Sequence, residues 1–248
     1  MSSIEIKRVD SQKLLEDFIQ FHYDLYRGNK YDAPNLYSDE KHTHNKKENA
    51  AFEFCEAEYF LAFKDGKIVG RVAAIINNRA NERWQRKSVR FGWIDFIDDI
   101  EVSKALLEAV EQWGRTKGMT EMVGPLGYTD MDPEGMLIEG FDQLGTMATI
   151  YNYPYYPEHM VKLGLVKSVD WVEMKIYVPD AIPEKHRRIS EIISKKYGLH
   201  VRKLTSKKEV RTSGIVADKL ASWGIEVHRE IGRTGVVGVL KGRGTSPR

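Results

Sequence analysis

Cysteine is almost missing from this 248-residue chain, with Cys55 standing alone. That excludes an internal disulfide framework and points to a reducing compartment, the cytoplasm. Long apolar runs are missing too. The best stretch, residues 68–76, is broken by Arg71 and falls well short of the ~20 residues of a membrane span, so no membrane partner is expected. The opening MSSIEIKRVD has no apolar core segment, and no secretory signal is expected from it. Net charge is nearly absent, since 38 basic residues face 36 acidic ones, which gives no global reason to expect nucleic acid. No repeat of solenoid period is found. What is present, 42% apolar and 10% aromatic residues, is the composition of a globular chain with a proper core, and the length suits one large domain or two small ones.

Charge and glycine are unevenly spread. Residues 211–248 hold seven of the 20 glycines, seven basic residues and three acidic ones, so they carry +4 and leave −2 for residues 1–210. Along the chain, Ile4–Val9 alternates as a strand, and Ser11 can cap a helix whose apolar face runs Leu14, Phe18, Ile19, Phe21, His22, Leu25. Residues 27–49 are polar and read as a loop with at most a short helix. Ala57–Phe63, Asp65-Gly66 and Lys67–Ile76 make the clearest hairpin, because Asp-Gly supplies positive φ angles. Val89–Phe96 reads as a strand, Val102–Trp113 as a helix stopping at Gly118, and Met119–Val123 as a short strand. A helix over 157–163, a strand over Trp171–Val178, a helix over Pro183–Tyr197 and a strand over Leu199–Leu204 follow. The order implies an α/β (α+β) layer fold with a mixed sheet.

Several clusters carry candidate chemistry. Tyr151, Asn152, Tyr153, Tyr155 and Tyr156 lie in one aromatic loop with Pro154 and Pro157, which suits either the wall of a substrate groove or a rigid connection packed on the sheet. Tyr128, Asp130, Asp132 and Glu134 follow a strand and could orient an amine or supply a base; the same residues suit plain Gly-Pro and Asp-Pro turns. His42 and His44, with Asp39 and Glu40, have the composition of a metal site without its spacing, and no metal is expected. Trp84 with Arg83, Arg86, Lys87 and Arg90 reads as a solvent-facing basic patch, and Cys55 as a buried thiol.

The hairpin AEYFLAFKDGKIVGRVAAIINN, the strand and helix of FGWIDFIDDIEVSKALLEAVEQWGRTKGM, and YPYYPEHMVKLGL resemble in order the GNAT acyltransferases. WIDFIDD, GPLGYTDMDPEGMLIEGF and NYPYYPEHM resemble a bacterial group with two such domains in tandem. The resemblance implies a central mixed sheet flanked by helices, a domain over 1–180, the start of a second over 181–210, acyl-CoA as cosubstrate and a small amine as acceptor. Two departures stand against full chemistry. The turn Phe96–Glu101, where the family cradles pyrophosphate, has three carboxylates and no glycine; Asp98 or Asp99 there reads as an ordinary helix cap. Four residues before Gly164, where many members place a tyrosine proton donor, stands Met160. Catalytic and cofactor residues are therefore not assigned, and the chain is expected to be catalytically incomplete, with a non-catalytic binding or dimerisation module as the alternative. Residues 211–248 resemble instead the N-terminal region of zinc-dependent amidohydrolases of the aminoacylase and hippurate hydrolase kind, which implies a joined or truncated chain and, as a further alternative function, a fragment of such an amidohydrolase.

Overall fold

A computed structural model describes residues 3–146, 149–199, 210–231 and 235–239. The chain forms two compact units, residues 1–173 and 174–248. In the first, strands β1 (Glu5–Arg8), β2 (Cys55–Lys64), β3 (Lys67–Asn77), β4 (Ser88–Phe96) and β5 (Glu121–Val123) lie side by side in sequence order. All pairs are antiparallel except β4 with β5, which are parallel. The sheet is therefore mixed, with helices on both faces, as the sequence order implies. The β2–β3 hairpin turns on Asp65 (φ 51°) and Gly66 (φ 76°), the left-handed pair that a two-residue loop requires.

Alternation along β3 builds the core. Val72, Ala74 and Ile76 face one side, where Val102, Leu106 and Val110 of helix α4 (Ile100–Thr116) and Tyr156 and Met160 of α5 (Tyr155–Lys162) pack on them. Ala73 and Ile75 face the other, against Phe18 and Ile19 of helix α1 (Gln12–Leu25) and Tyr59 and Tyr128. Helix α1 starts where expected, with the Ser11 hydroxyl accepting the Leu14 N–H at 3.3 Å. Residues 27–49 are a loop with one short helix, α2 (Tyr37–Thr43), as the sequence reading allows, and a single 3-10 turn follows at Ala50–Glu53. Helix α3 (Asn78–Trp84) was not apparent from the pattern; the Asn77 side chain caps it by accepting the Ala80 N–H at 2.8 Å.

One element is corrected. Residues 171–178 belong to no strand, and Trp171, Met174, Ile176 and Val178 are exposed. Their alternating pattern is that of a strand, but a strand exists only where a ladder partner is present. In the second unit, helix α6 (Glu184–Tyr197) ends at Gly198 in the left-handed conformation, and helix α7 (Val210–Ser222) is followed by the antiparallel pair β6 (Glu226–Ile231) and β7 (Gly235–Val239). The strand expected over Leu199–Leu204 lies, beyond Leu199, outside the described residues. Among the described residues no helix is long and apolar enough to cross a membrane.

Candidate functional site

Strand β4 carries one extra residue. Arg71 of β3 faces Asp95 while Ala73 faces Gly92, and Trp93 adopts φ 43°, unusual for a bulky residue. This bulge inverts the alternation: Phe91, Ile94 and Phe96 join the core under α4, and Trp93 and Asp95 turn to the opposite side. Pairing between β4 and β5 extends only over Ser88–Arg90 and Glu121–Val123. Where the ladder stops, a cavity of about 100 Å³ opens, lined by Trp93, Ile94 and Asp95 of β4, Pro125 beyond β5, and residues of α1, α2 and the 149–152 segment.

A buried ion network forms one wall. One oxygen of Asp95 accepts from Arg71 Nε and Nη2, both at 2.8 Å, and lies 3.1 Å from His22 Nδ1. Its other oxygen is 3.3 Å from the Tyr156 hydroxyl, which also accepts from the Phe96 N–H at 3.1 Å and from Tyr26 at 2.9 Å. The third Arg71 nitrogen donates to the Phe18 carbonyl at 3.0 Å. His22 Nε2 faces Asp32 at 3.6 Å. Burial alone would lower the His22 pKa, but Asp95 and Asp32 outweigh burial and the Arg71 charge and raise it to about 9. Asp95, despite its burial, is held well below the carboxylate range by Arg71 and His22. Burial pushes the Tyr26 and Tyr156 hydroxyls well up. At neutral pH the network therefore holds two cations, Arg71 on Asp95 and His22 between Asp95 and Asp32.

Glu40 also lines the cavity. Asn35 Nδ2 donates to its Oε1 at 2.9 Å, and its Oε2 lies 3.6 Å from His44 Nε2. Burial would raise its pKa; His44, Arg71 and Asn35 prevail and hold it at about 2. Arg71 and His22 are engaged by Asp95, and His22 also by Asp32; three carboxylates, Asp32, Glu40 and Asp95, thus line the space against two cations, with acceptor capacity to spare. The cavity thus suits a ligand cation, which the excess carboxylate charge would attract in a partly water-excluded space.

Of the residues in the two candidate clusters, Tyr151, Asn152 and Tyr156 line the cavity. Tyr151 donates to the Phe141 carbonyl at 3.1 Å, and Asn152 accepts from Leu137 N–H at 2.6 Å while donating to the Leu137 and Tyr153 carbonyls, both at 3.1 Å. Tyr153 stacks on Tyr26 and donates to the Leu25 carbonyl at 3.3 Å, and Tyr155 donates to the Phe96 carbonyl at 2.6 Å. Tyr128 is fully buried beside Tyr59 and His44. Asp132 folds back on its own turn, accepting from the Thr129 N–H at 2.8 Å, and Asp130 is exposed. His44, read from the sequence as part of a solvated loop, is buried in an aromatic box instead. His22, Arg71, Asp95 and Asp32 were missed. The available signal was a charge inside each of two apolar strands, Arg71 and Asp95.

The turn from β4 into α4 is closed by the chain's own side chains. Asp99 caps α4, its Oδ1 accepting the Glu101 N–H at 3.0 Å while Oδ2 pairs with Lys64 at 2.6 Å. The Asp99 carbonyl accepts from Val102 and Ser103. Asp98 pairs with His159 at 3.1 Å, and His159 with Ser103 at 3.0 Å. The chain's own carboxylate occupies the helix N-terminus, so the residues present do not fit a pyrophosphate there. Among the described residues no group of three or more His, Cys, Asp or Glu could hold a metal.

No family model matches the chain. It is 33% identical over 156 residues to Protein YghO of Escherichia coli, covering 63% of this chain and 40% of that protein. It is 31% identical over 143 residues to the bacterial ceramide synthase of Caulobacter vibrioides, covering 57% of this chain and 37% of that one. The match thus spans about two fifths of each relative. Among solved structures, the aminoglycoside N-acetyltransferase AAC(6')-Iy in complex with CoA aligns with 72% of this chain and 97% of its own, at 16% identity and a TM-score of 0.40.

Proposed function

We propose that residues 1–173 form the amine-holding part of a GNAT-like N-acyltransferase whose acyl donor is an acyl-CoA, and that this chain alone is catalytically incomplete. The observation that carries the reading is that three carboxylates, Asp32, Glu40 and Asp95, line one cavity against two cations, Arg71 and His22, which leaves one negative charge uncompensated. An ammonium group is the ligand such a space favours. The ceramide synthase relative supports the same substrate class, because a ceramide is an N-acylated amino alcohol. Within this reading Asp32 and Glu40 hold the ammonium, Trp93 and Tyr151 enclose the carbon attached to it, and the His22–Asp95–Arg71 network keeps the wall rigid and dry. Asp99 and Lys64, closing the α4 N-terminus, are the reason to place the donor's phosphates outside this turn. The assignment of residues 181–210 to a second such domain and of 211–248 to an amidohydrolase-like fragment rests on the sequence resemblance alone.

The test uses the full chain with acetyl-CoA and n-butylamine. Calorimetry should show the amine binding, weakened about tenfold or more by Asp32→Asn, as expected for loss of a charged partner. Thiol release should be absent. Turnover by the chain alone would refute incompleteness, and failure to bind the amine would refute the acceptor site. Amine binding with no detectable binding of acetyl-CoA would leave a binding module.

A further inference from the structure

Among the described residues, His44 is buried with a ring nitrogen that has no hydrogen-bond partner, and that nitrogen stands 3.6 Å from Glu40, which lines the cavity. Its ring sits among Phe18, Tyr59 and Trp93, with centroids at 5.4, 5.0 and 4.8 Å. Nδ1 lies 3.3 Å from the Tyr128 hydroxyl, and Nε2 has no hydrogen-bond partner. Nε2 points at Glu40 Oε2 across 3.6 Å, beyond hydrogen-bond length. A buried orphan nitrogen costs stability and calls for an explanation.

The hydroxyls behind it have an order that supplies one. Tyr59 and Tyr128 share a short hydrogen bond. If Tyr59 donates to Tyr128, Tyr128 is free to donate to His44 Nδ1, and the neutral ring then carries its proton on Nε2, toward Glu40. Burial lowers the His44 pKa, so the ring is neutral and has one proton to place. The result is a one-way chain from Tyr59 through Tyr128 and His44 to a carboxylate on the cavity, with Asn35 holding that carboxylate's other oxygen. The same ring supports Trp93 edge-on, so one buried residue backs both the anionic and the aromatic wall.

We infer that His44 is the positioning residue of the ammonium site, its Nε2–H fixing the Glu40 carboxylate toward the cavity. It touches no ligand itself, and the inference rests on the amine-holding role proposed above. Glu40 and His44 stand four residues apart on and just past α2, so a helical turn sets their spacing.

The experiment titrates the full chain with n-butylammonium, with n-butanol as the uncharged control, following the Trp93 indole N–H by nuclear magnetic resonance. Trp93→Phe assigns the signal. His44→Gln, which keeps an N–H at about the same reach, should bind the amine as the natural chain does; His44→Met, which keeps bulk alone, should bind it about tenfold more weakly. In Glu40→Gln, already weakened, adding His44→Met should change nothing further, the non-additivity that marks a residue acting through another. Nitrogen spectra of the unliganded chain should place the His44 proton on Nε2. Equal losses from His44→Met with and without Glu40, or a proton on Nδ1, would overturn the inference and leave the amine site standing. No binding of n-butylammonium by the natural chain would overturn the amine site, and the inference with it. Should His44→Met fail to fold, the Gln variant and the proton position decide the matter.

Discussion

Replacing His22 by glutamine should flatten the dependence of stability on alkaline pH. The ring's ordinary pKa of 6.5 is raised to about 9 in the fold, where burial opposes and Asp95 and Asp32 prevail. A group whose pKa is raised by folding stabilises fully below its unfolded pKa and loses that contribution as pH climbs through the folded one. The window is therefore about pH 6.5 to 9. Its size follows from a rise of about 2.5 units at 1.36 kcal/mol each, or about 3 kcal/mol, a large part of the ~5–15 kcal/mol that a domain possesses. The His22 side chain is only 19% exposed, so screening by water does not remove most of it. Urea unfolding at pH 6, 7.5 and 9.5 measures the effect: the natural chain should lose about 3 kcal/mol across the series, and His22→Gln should lose little. Asp95→Asn should also flatten the slope, and should cost about 3–5 kcal/mol at every pH besides, because buried Arg71 then loses the carboxylate charge it is paired with. A His22→Gln chain with the natural slope would refute the assignment of that slope to the network.

Two further outcomes follow from close packing and burial. Gly92→Ala should lower the melting temperature, at a cost of about 3 kcal/mol, because the new Cβ would stand 2.4 Å from the Leu126 carbonyl oxygen, backbone that cannot swing aside; an unchanged melting curve would refute the tight β4 crossing. Cys55 should resist a thiol reagent in the folded chain, since burial pushes its pKa to about 11, and should react only as fast as the chain unfolds. Full labelling within minutes under native conditions would contradict that burial.

The layers were legible in the sequence because period 2 in Lys67–Ile76 and period 3.6 in Val102–Trp113 are set by which side chains must leave water, and both survive in β3 and α4. The Asp-Gly turn and the Asp99 cap were legible for the same local reason. The cavity was not. It depends on one extra residue in β4, and VRFGWIDF reads as a continuous strand until Arg71 is seen opposite Asp95 and Ala73 opposite Gly92. It also depends on four elements that converge across long stretches of chain: His22, Glu40, Arg71 and Asp95 are neighbours only once α1, α2, β3 and β4 are packed. What the sequence did contain was a misfit at each place, a histidine on an apolar helix face and two opposite charges in apolar strands. Buried charge is costly unless paired, so two such misfits in strands that read as neighbours imply each other. Arg71 first figured as the residue that spoils a membrane span. In the fold it is half of the pair that turns a strand bulge into the wall of a site.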